Sequence, residues 1–246
     1  MKFLTLLLLP TLVYALTGLE VMQKVDKSGE GFVGSSSEMT LTLINAHGDK
    51  LERVMESKVF ENNKEGNKSI TEFVEPLDVK GTKLLTWTQK EDNNKQWLYL
   101  PRFKRIKKIS SSGQSGSFMG SEFSYEDIAG NELEKYDYKL LKEDENTWTV
   151  EARPKNESGY SKIVSTIDKK KLIPIKAEYF NKREELLKRS DMKNFKTYKV
   201  DKKVFHYANF IRMDNVQTKK ASIIEWKERK IGVKHRENDF RSTKLK

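Results

Sequence analysis

The sequence predicts a mostly-β fold built on a single curved antiparallel sheet of about eleven strands, and three observations predict it. Apolar and polar residues alternate over short runs through most of the chain, which is the period of strands with one buried face. Turn-forming clusters such as Asn62-Asn63, Gly66-Asn67 and Asp92-Asn93-Asn94 separate those runs. Only 36% of the residues are hydrophobic while 34% are charged, a balance that favours strands with one wet face over elements buried on both sides.

Ahead of the first run, Met1-Lys2 is a short basic start and residues 3–12 are almost unbroken apolar. Val13-Tyr14-Ala15 then offers aliphatic and small residues at the positions a signal peptidase reads. Residues 1–15 are therefore expected to be a signal peptide cleaved after Ala15, leaving residues 16–246 as one exported domain. The apolar run falls short of the ~20 residues that span a bilayer, which argues against an anchor. The chain has no cysteine, so disulfides and lipidation at a cleavage-site cysteine are both excluded.

Leu19, Met22 and Val25 recur at helical spacing, which predicts a short amphipathic helix ended by Gly29, Gly31 and Gly34. From Glu38 the period becomes two, with Met39, Leu41 and Leu43 on one face. Strands are predicted over 38–44, 51–60, 69–74, 83–88 and 96–100. A second series follows over 136–142, 147–153, 161–168, 174–181, 186–195, 204–213 and 218–227. Between the two series, residues 110–130 lose the alternation and read as a loop with short helical turns. So large a sheet curls, and its concave face must be filled by a helix, a loop or a ligand. The N-terminal helix, the 110–130 insert and a segment around Asp239 to Leu245 are few fillers, so a cavity is expected.

The formal net charge is +11, but export separates the chain from nucleic acid, and the lysines are scattered (Lys162, Lys176, Lys199, Lys227) instead of gathered on one helix or arm. No nucleic-acid partner is expected. The three histidines, His47, His206 and His235, have no ligand-like neighbours, and there is no HExxH, phosphate loop or dinucleotide fingerprint. Gly113-Gln114-Ser115-Gly116-Ser117 lacks the second glycine at the spacing a nucleophile elbow needs. Catalysis, metal and cofactor are accordingly not expected. A buried carboxylate pair is the catalytic alternative left open.

The most concentrated apolar signal is aromatic: Trp87, Trp97, Tyr99 and Phe103 in neighbouring runs, then Phe118, Met119, Phe123 and Tyr125 in the insert. These residues form either the lining of one acyl-binding cavity or an ordinary core, and alternation lets only one of the pairs Trp97/Tyr99 and Leu98/Leu100 face inward. Ordinary core packing would produce the same pattern. Beside them, Arg102, Lys104, Arg105, Lys107 and Lys108 form a basic strip, either a charged edge strand or a docking patch for anionic headgroups or an acidic partner.

The segments Gln96-Trp97-Leu98-Tyr99-Leu100-Pro101 and Gly116-Ser117-Phe118-Met119-Gly120-Ser121 resemble the outer-membrane lipoprotein-sorting protein family, of the LolA/LolB-like carrier superfamily. The resemblance extends over nearly the whole mature chain. It implies a half-open β-barrel plugged by helices and a lid, with Trp97, Tyr99, Phe118, Met119, Phe123 and Tyr125 on the acyl-binding face. It also implies a monomeric periplasmic carrier or acceptor of lipids or lipoproteins, working beside an inner-membrane transporter of the RND type. A ligand-free soluble interaction subunit of such a transporter is the alternative.

Overall fold

The structure, a computed structural model, describes residues 16–130 and 132–246, and the expected signal segment 1–15 lies outside them. Six strands come first: β1 (Gly34–Ile44), β2 (Lys50–Phe60), β3 (Lys68–Glu75), β4 (Lys83–Trp87), β5 (Lys95–Leu100) and β6 (Arg105–Ile109). Seven more follow residues 110–135: β7 (Tyr136–Glu143), β8 (Thr147–Pro154), β9 (Lys162–Asp168), β10 (Ile173–Phe180), β11 (Leu186–Val200), β12 (Lys203–Asn215) and β13 (Ala221–Ile231).

All thirteen join one antiparallel sheet in the order β6-β5-β4-β3-β2-β1-β13-β12-β11-β10-β9-β8-β7. Each half is a meander, and the halves meet where β1 pairs β13. The sheet is curved and not closed, because β6 and β7 are its two edges. The expected fold class holds, with more strands than expected. The additional one is β6, the basic strip, whose charges mask its alternation and suit an edge exposed to water. The first strand also begins earlier than the sequence indicates, since Ser35, Ser36 and Ser37 look like loop residues yet pair with both β2 and β13.

Register divides the sheet into two faces. Met39, Leu41, Met55, Phe73, Leu84 and Leu98 lie on the concave side and form the main core with Phe118 and Phe123 of the insert. The intervening residues of β3–β5 face the convex side, where Leu85 packs with Phe240 and Leu245 of the C-terminal segment. That segment thus covers the outer face of the sheet and fills none of the concavity it was expected to help fill.

Helix α1 (Gly18–Gly29) starts at a reciprocal cap, in which the Thr17 hydroxyl accepts from the Glu20 amide and the Glu20 carboxylate accepts from the Thr17 amide. It lies on β7 and β8, burying Val21 fully against Trp148, Val150 and Ile167, with Met22 and Val25 alongside. Leu19, expected on the packed face, is exposed instead, because the buried stripe is centred on Val21. The helix sits close enough that a Cβ on Gly18 would come within 2.6 Å of the Leu140 amide nitrogen. Gly18→Ala is therefore expected to lift the helix and cost about 1–3 kcal/mol. Urea unfolding checks this, and an unchanged midpoint would show that the helix is not seated against β7.

Candidate functional site

Between edge strands β6 and β7, residues 110–130 pass over the concave face. This strap carries the short helix α2 (Tyr125–Ala129), started by Ser124, whose hydroxyl accepts from the Asp127 amide. Its tip is a tight loop in which the Phe118 amide donates to the Phe123 carbonyl and Met119 takes a left-handed conformation with φ 50°. Phe118 is fully buried, 5.6 Å from the Phe73 ring and 5.7 Å from Tyr125 between ring centres.

Both halves of the sheet hold the strap. On the first half, Arg53 Nη1 donates to the Met119 carbonyl at 2.5 Å and Gln96 Nε2 to the Tyr125 carbonyl at 3.0 Å. On the second, the Glu122 amide donates to Ser222 Oγ and Asn215 Nδ2 donates to the Glu122 carboxylate. The Asp127 carboxylate, besides capping α2, accepts from Tyr160 Oη at 2.9 Å and lies 3.5 Å from Lys188 Nζ, both side chains of the ion pair being about nine-tenths buried. Lys188 Nζ also donates to Tyr160 Oη at 2.9 Å.

Beneath and beside the strap lie two adjoining cavities of about 410 and 420 Å³. The first runs from Phe118, Phe123, Met39 and Met55 to a polar end. The second is walled by Val25, Leu172, Pro174, Met192, Phe195 and Phe205, so α1 contributes to it. Tyr207, Ile211, Trp226 and Arg229 line both. The polar end has a regular origin in the register. Arg229 on β13 stands opposite Ser37 on β1, Ser37 opposite Ser57 on β2, and Ser57 opposite Thr71 on β3, so one row of hydrogen-bonding side chains crosses four strands. The neighbouring row, Trp226, Met39, Met55 and Phe73, is apolar.

A β-bulge makes these two rows adjacent at β13. Glu38 pairs Glu228 but Met39 pairs Trp226, so Lys227 is the extra residue. In a regular strand Trp226 and Arg229 would point to opposite faces, and the bulge turns both inward. The Arg229 guanidinium then lies 4.4 Å from the Trp226 ring and 4.8 Å from the Tyr207 ring, donating once, to the Ala208 carbonyl. Burial lowers its pKa to about 10, which still leaves it cationic at neutral pH.

The sequence-expected ligand residues divide between the faces. Phe118 and Phe123 line the first cavity, and Met119 and Tyr125 pack against the core around it. Trp87, Trp97 and Tyr99 do not join them, because Leu98 and Leu100 are the members of β5 that face inward. Trp87 and Trp97 pack edge to face at 5.0 Å on the convex side, and Trp87 Nε1 donates to the Phe240 carbonyl at 2.7 Å. Of the basic strip, Arg102 and Lys104 sit in the turn before β6, while Lys107 and Lys108 point to opposite faces of that strand. Sequence reasoning missed Arg229, Trp226, Tyr207 and the serine row, and for Arg229 the reason is that a bulge leaves no mark in hydrophobic alternation.

The buried acids of the catalytic alternative are present but engaged. Glu126, whose pKa burial raises, accepts from Ser158 Oγ and the Gly159 amide. Among the described residues no group of three or more His, Cys, Asp and Glu side chains could hold a metal ion, and no helix is long and apolar enough to cross a membrane.

A curved, unclosed antiparallel sheet whose concave face is crossed by a helical strap defines a LolA-like fold, and solved structures bear this out. A LolA superfamily protein from Nitrosomonas europaea superposes with a TM-score of 0.72 at 17% identity, over 93% of this chain and 99% of its own, a likeness of fold alone. A DUF1329 family protein from Desulfovibrio piger reaches 0.85 at 26% identity, over 93% and 98%. A domain from Vibrio parahaemolyticus, described as outer membrane lipoprotein-sorting, reaches 0.88 at 36% identity, over 93% and 97%. One family model, described as that of an uncharacterized protein, matches residues 65–246, and no curated protein matches. The chain belongs to the outer membrane lipoprotein-sorting protein family.

The strap's hold on the second half rests on the Asp127, Tyr160 and Lys188 cluster. Lys188→Met leaves a buried carboxylate without its cation and is expected to cost about 3–5 kcal/mol, whereas the double variant with Asp127→Asn costs clearly less. Chemical denaturation of the four proteins of this cycle checks the coupling.

Proposed function

We propose that the protein is a periplasmic carrier or acceptor of lipids or lipoproteins, which shelters acyl chains in its concave face without chemically changing them. The observation that carries this reading is the unfilled concavity. A sheet curled only around its own core would close-pack, yet two cavities of about 410 and 420 Å³ adjoin beneath and beside the strap, within the ~300–1,000 Å³ typical of ligand pockets. Their walls are mainly aliphatic and aromatic, as acyl chains require. The proposed ligand-contacting residues are Phe118 and Phe123, together with the inward residues of β1, β2 and β12. Gently purified protein is expected to carry an amphiphile detectable by mass spectrometry, and delipidated protein to bind a fluorescent fatty acid. Absence of both would sink the carrier reading and favour a ligand-free interaction subunit.

Loading and release need a docking surface, and the turn before β6 is proposed for it. There Phe103 is 64% exposed beside Arg102, Lys104 and Arg105, while Leu77, 87% exposed, projects from the neighbouring β3–β4 turn. The two turns touch, since a Cβ on Gly81 would lie 3.5 Å from Pro101 Cγ. Exposed apolar tips ringed by cations suit an anionic membrane leaflet, on which an RND-type transporter would be the protein partner. In sedimentation with phosphatidylglycerol vesicles, Arg102→Gln with Lys104→Gln and Arg105→Gln is expected to weaken binding by about 1 kcal/mol per charge at low salt. Equal sedimentation of variant and wild type removes this surface from the proposal.

A further inference from the structure

We propose that Arg229 is the anchor for an anionic headgroup, so that the ligand of this cavity is an acidic amphiphile whose carboxylate or phosphate meets the guanidinium while its acyl chain lies among the apolar walls. The proposal rests on the carrier reading and specifies its ligand.

A guanidinium carries five N–H donors, and one is used here, on the Ala208 carbonyl. It also stacks on the faces of Trp226 and Tyr207, with Tyr198 nearby, and these rings fix its plane and shield it from water without neutralising it. Asp127, on the same cavity, and Glu61, which acts on the neighbouring Tyr207, are both committed elsewhere. Asp127 serves Lys188, Tyr160 and the α2 cap. Glu61 accepts from the Gly31 amide at 2.5 Å and the Val33 amide at 2.6 Å. Among the described residues Arg229 forms no ion pair with any carboxylate. A partly buried cation left without an anion is costly to the fold, and an anion brought by a ligand would relieve that cost.

The surroundings suit an oxyanion. Ser37, Ser57 and Thr71 continue the row from Arg229 on the same cavity wall, and because the Thr71 hydroxyl donates to Ser57 Oγ, the donors offered to a ligand are the hydroxyls of Ser37 and Ser57. Arg229 also lines both cavities, so a headgroup held there has apolar space leading away on either side. The arrangement is built and not incidental. The bulge at Lys227 is what brings Arg229 to the inner face, and without it this position would point outward, where a charge needs no partner.

The test uses the purified, delipidated full chain and fluorescence titration with cis-parinaric acid and its methyl ester, which differ only in head charge. Wild type is expected to bind the acid about tenfold or more tightly than the ester. Arg229→Met is expected to bind both about equally, at the affinity wild type has for the ester. Competition by lysophosphatidic acid, set against a monoacylglycerol of the same chain length, tells a phosphate head from a carboxylate. If wild type binds acid and ester alike, or if Arg229→Met keeps the acid preference, the headgroup assignment is overturned and the carrier reading stands. If wild type binds neither, the carrier reading falls and takes this one with it. Should Arg229→Met not fold, Arg229→Lys keeps the charge but loses the planar fork, and is expected to lower the acid preference about threefold or more. An unchanged preference in that variant overturns the assignment.

Discussion

The ladder between β1 and β13 is the constraint on which the rest of the molecule depends. Every other strand pair joins neighbours in sequence, so each meander could form from local contacts, but only this pairing turns two meanders into one sheet. It brings together residues almost two hundred positions apart, for example Ser36 and Lys230. The curvature, the concave face and the placing of the strap follow once it is made. Its one irregularity, the bulge at Lys227, also decides which side chains look into the cavity. Long-range pairing of this kind is the slow step expected in all-β folding.

The inner surface shows two ways of using strand register. Near the strap, matched rows of Leu, Met and Phe give a dry core that Phe118 completes. One row further along, the same four strands present Arg229, Ser37, Ser57 and Thr71, and close packing gives way to space. A fold selected only for stability would place apolar groups of matching volume at those positions. The chain keeps hydroxyls and a cation there, on the inside of a curled sheet.

Much of this is legible in the sequence. Alternation at Met39, Leu41 and Leu43, together with the turn clusters between runs, is enough to specify an antiparallel meander. The break at residues 110–130 marks the strap, of which Phe118 and Phe123 line the first cavity while Tyr125 packs against the core. Which face of β5 turns inward is not legible in the same way. Trp97 and Tyr99 look like the richer ligand surface, but inward direction is a property of the whole sheet, and the C-terminal Phe240 and Leu245 supply an outer core that makes the convex face equally apolar. Ser35 and Ser37 escape for a related reason, since a strand lining a wet cavity has the composition of a loop. Arg229 escapes because bulges reverse parity without changing composition.

The route of the chain gives the strap a second role. Because the first meander runs from the middle of the sheet outward to β6 and the second runs from β7 back to the middle, the two lips of the unclosed seam are consecutive in the covalent chain. The strap is therefore also a tether between them. Spreading the lips to admit a bulky guest would leave every strand ladder intact and would draw on the slack of this one segment. The distance the seam can part is a matter of contour length, and its resistance comes from the side-chain anchors at Arg53, Gln96 and Lys188. Insertions or deletions in that segment would change the reach of the tether while leaving the strand ladders unchanged.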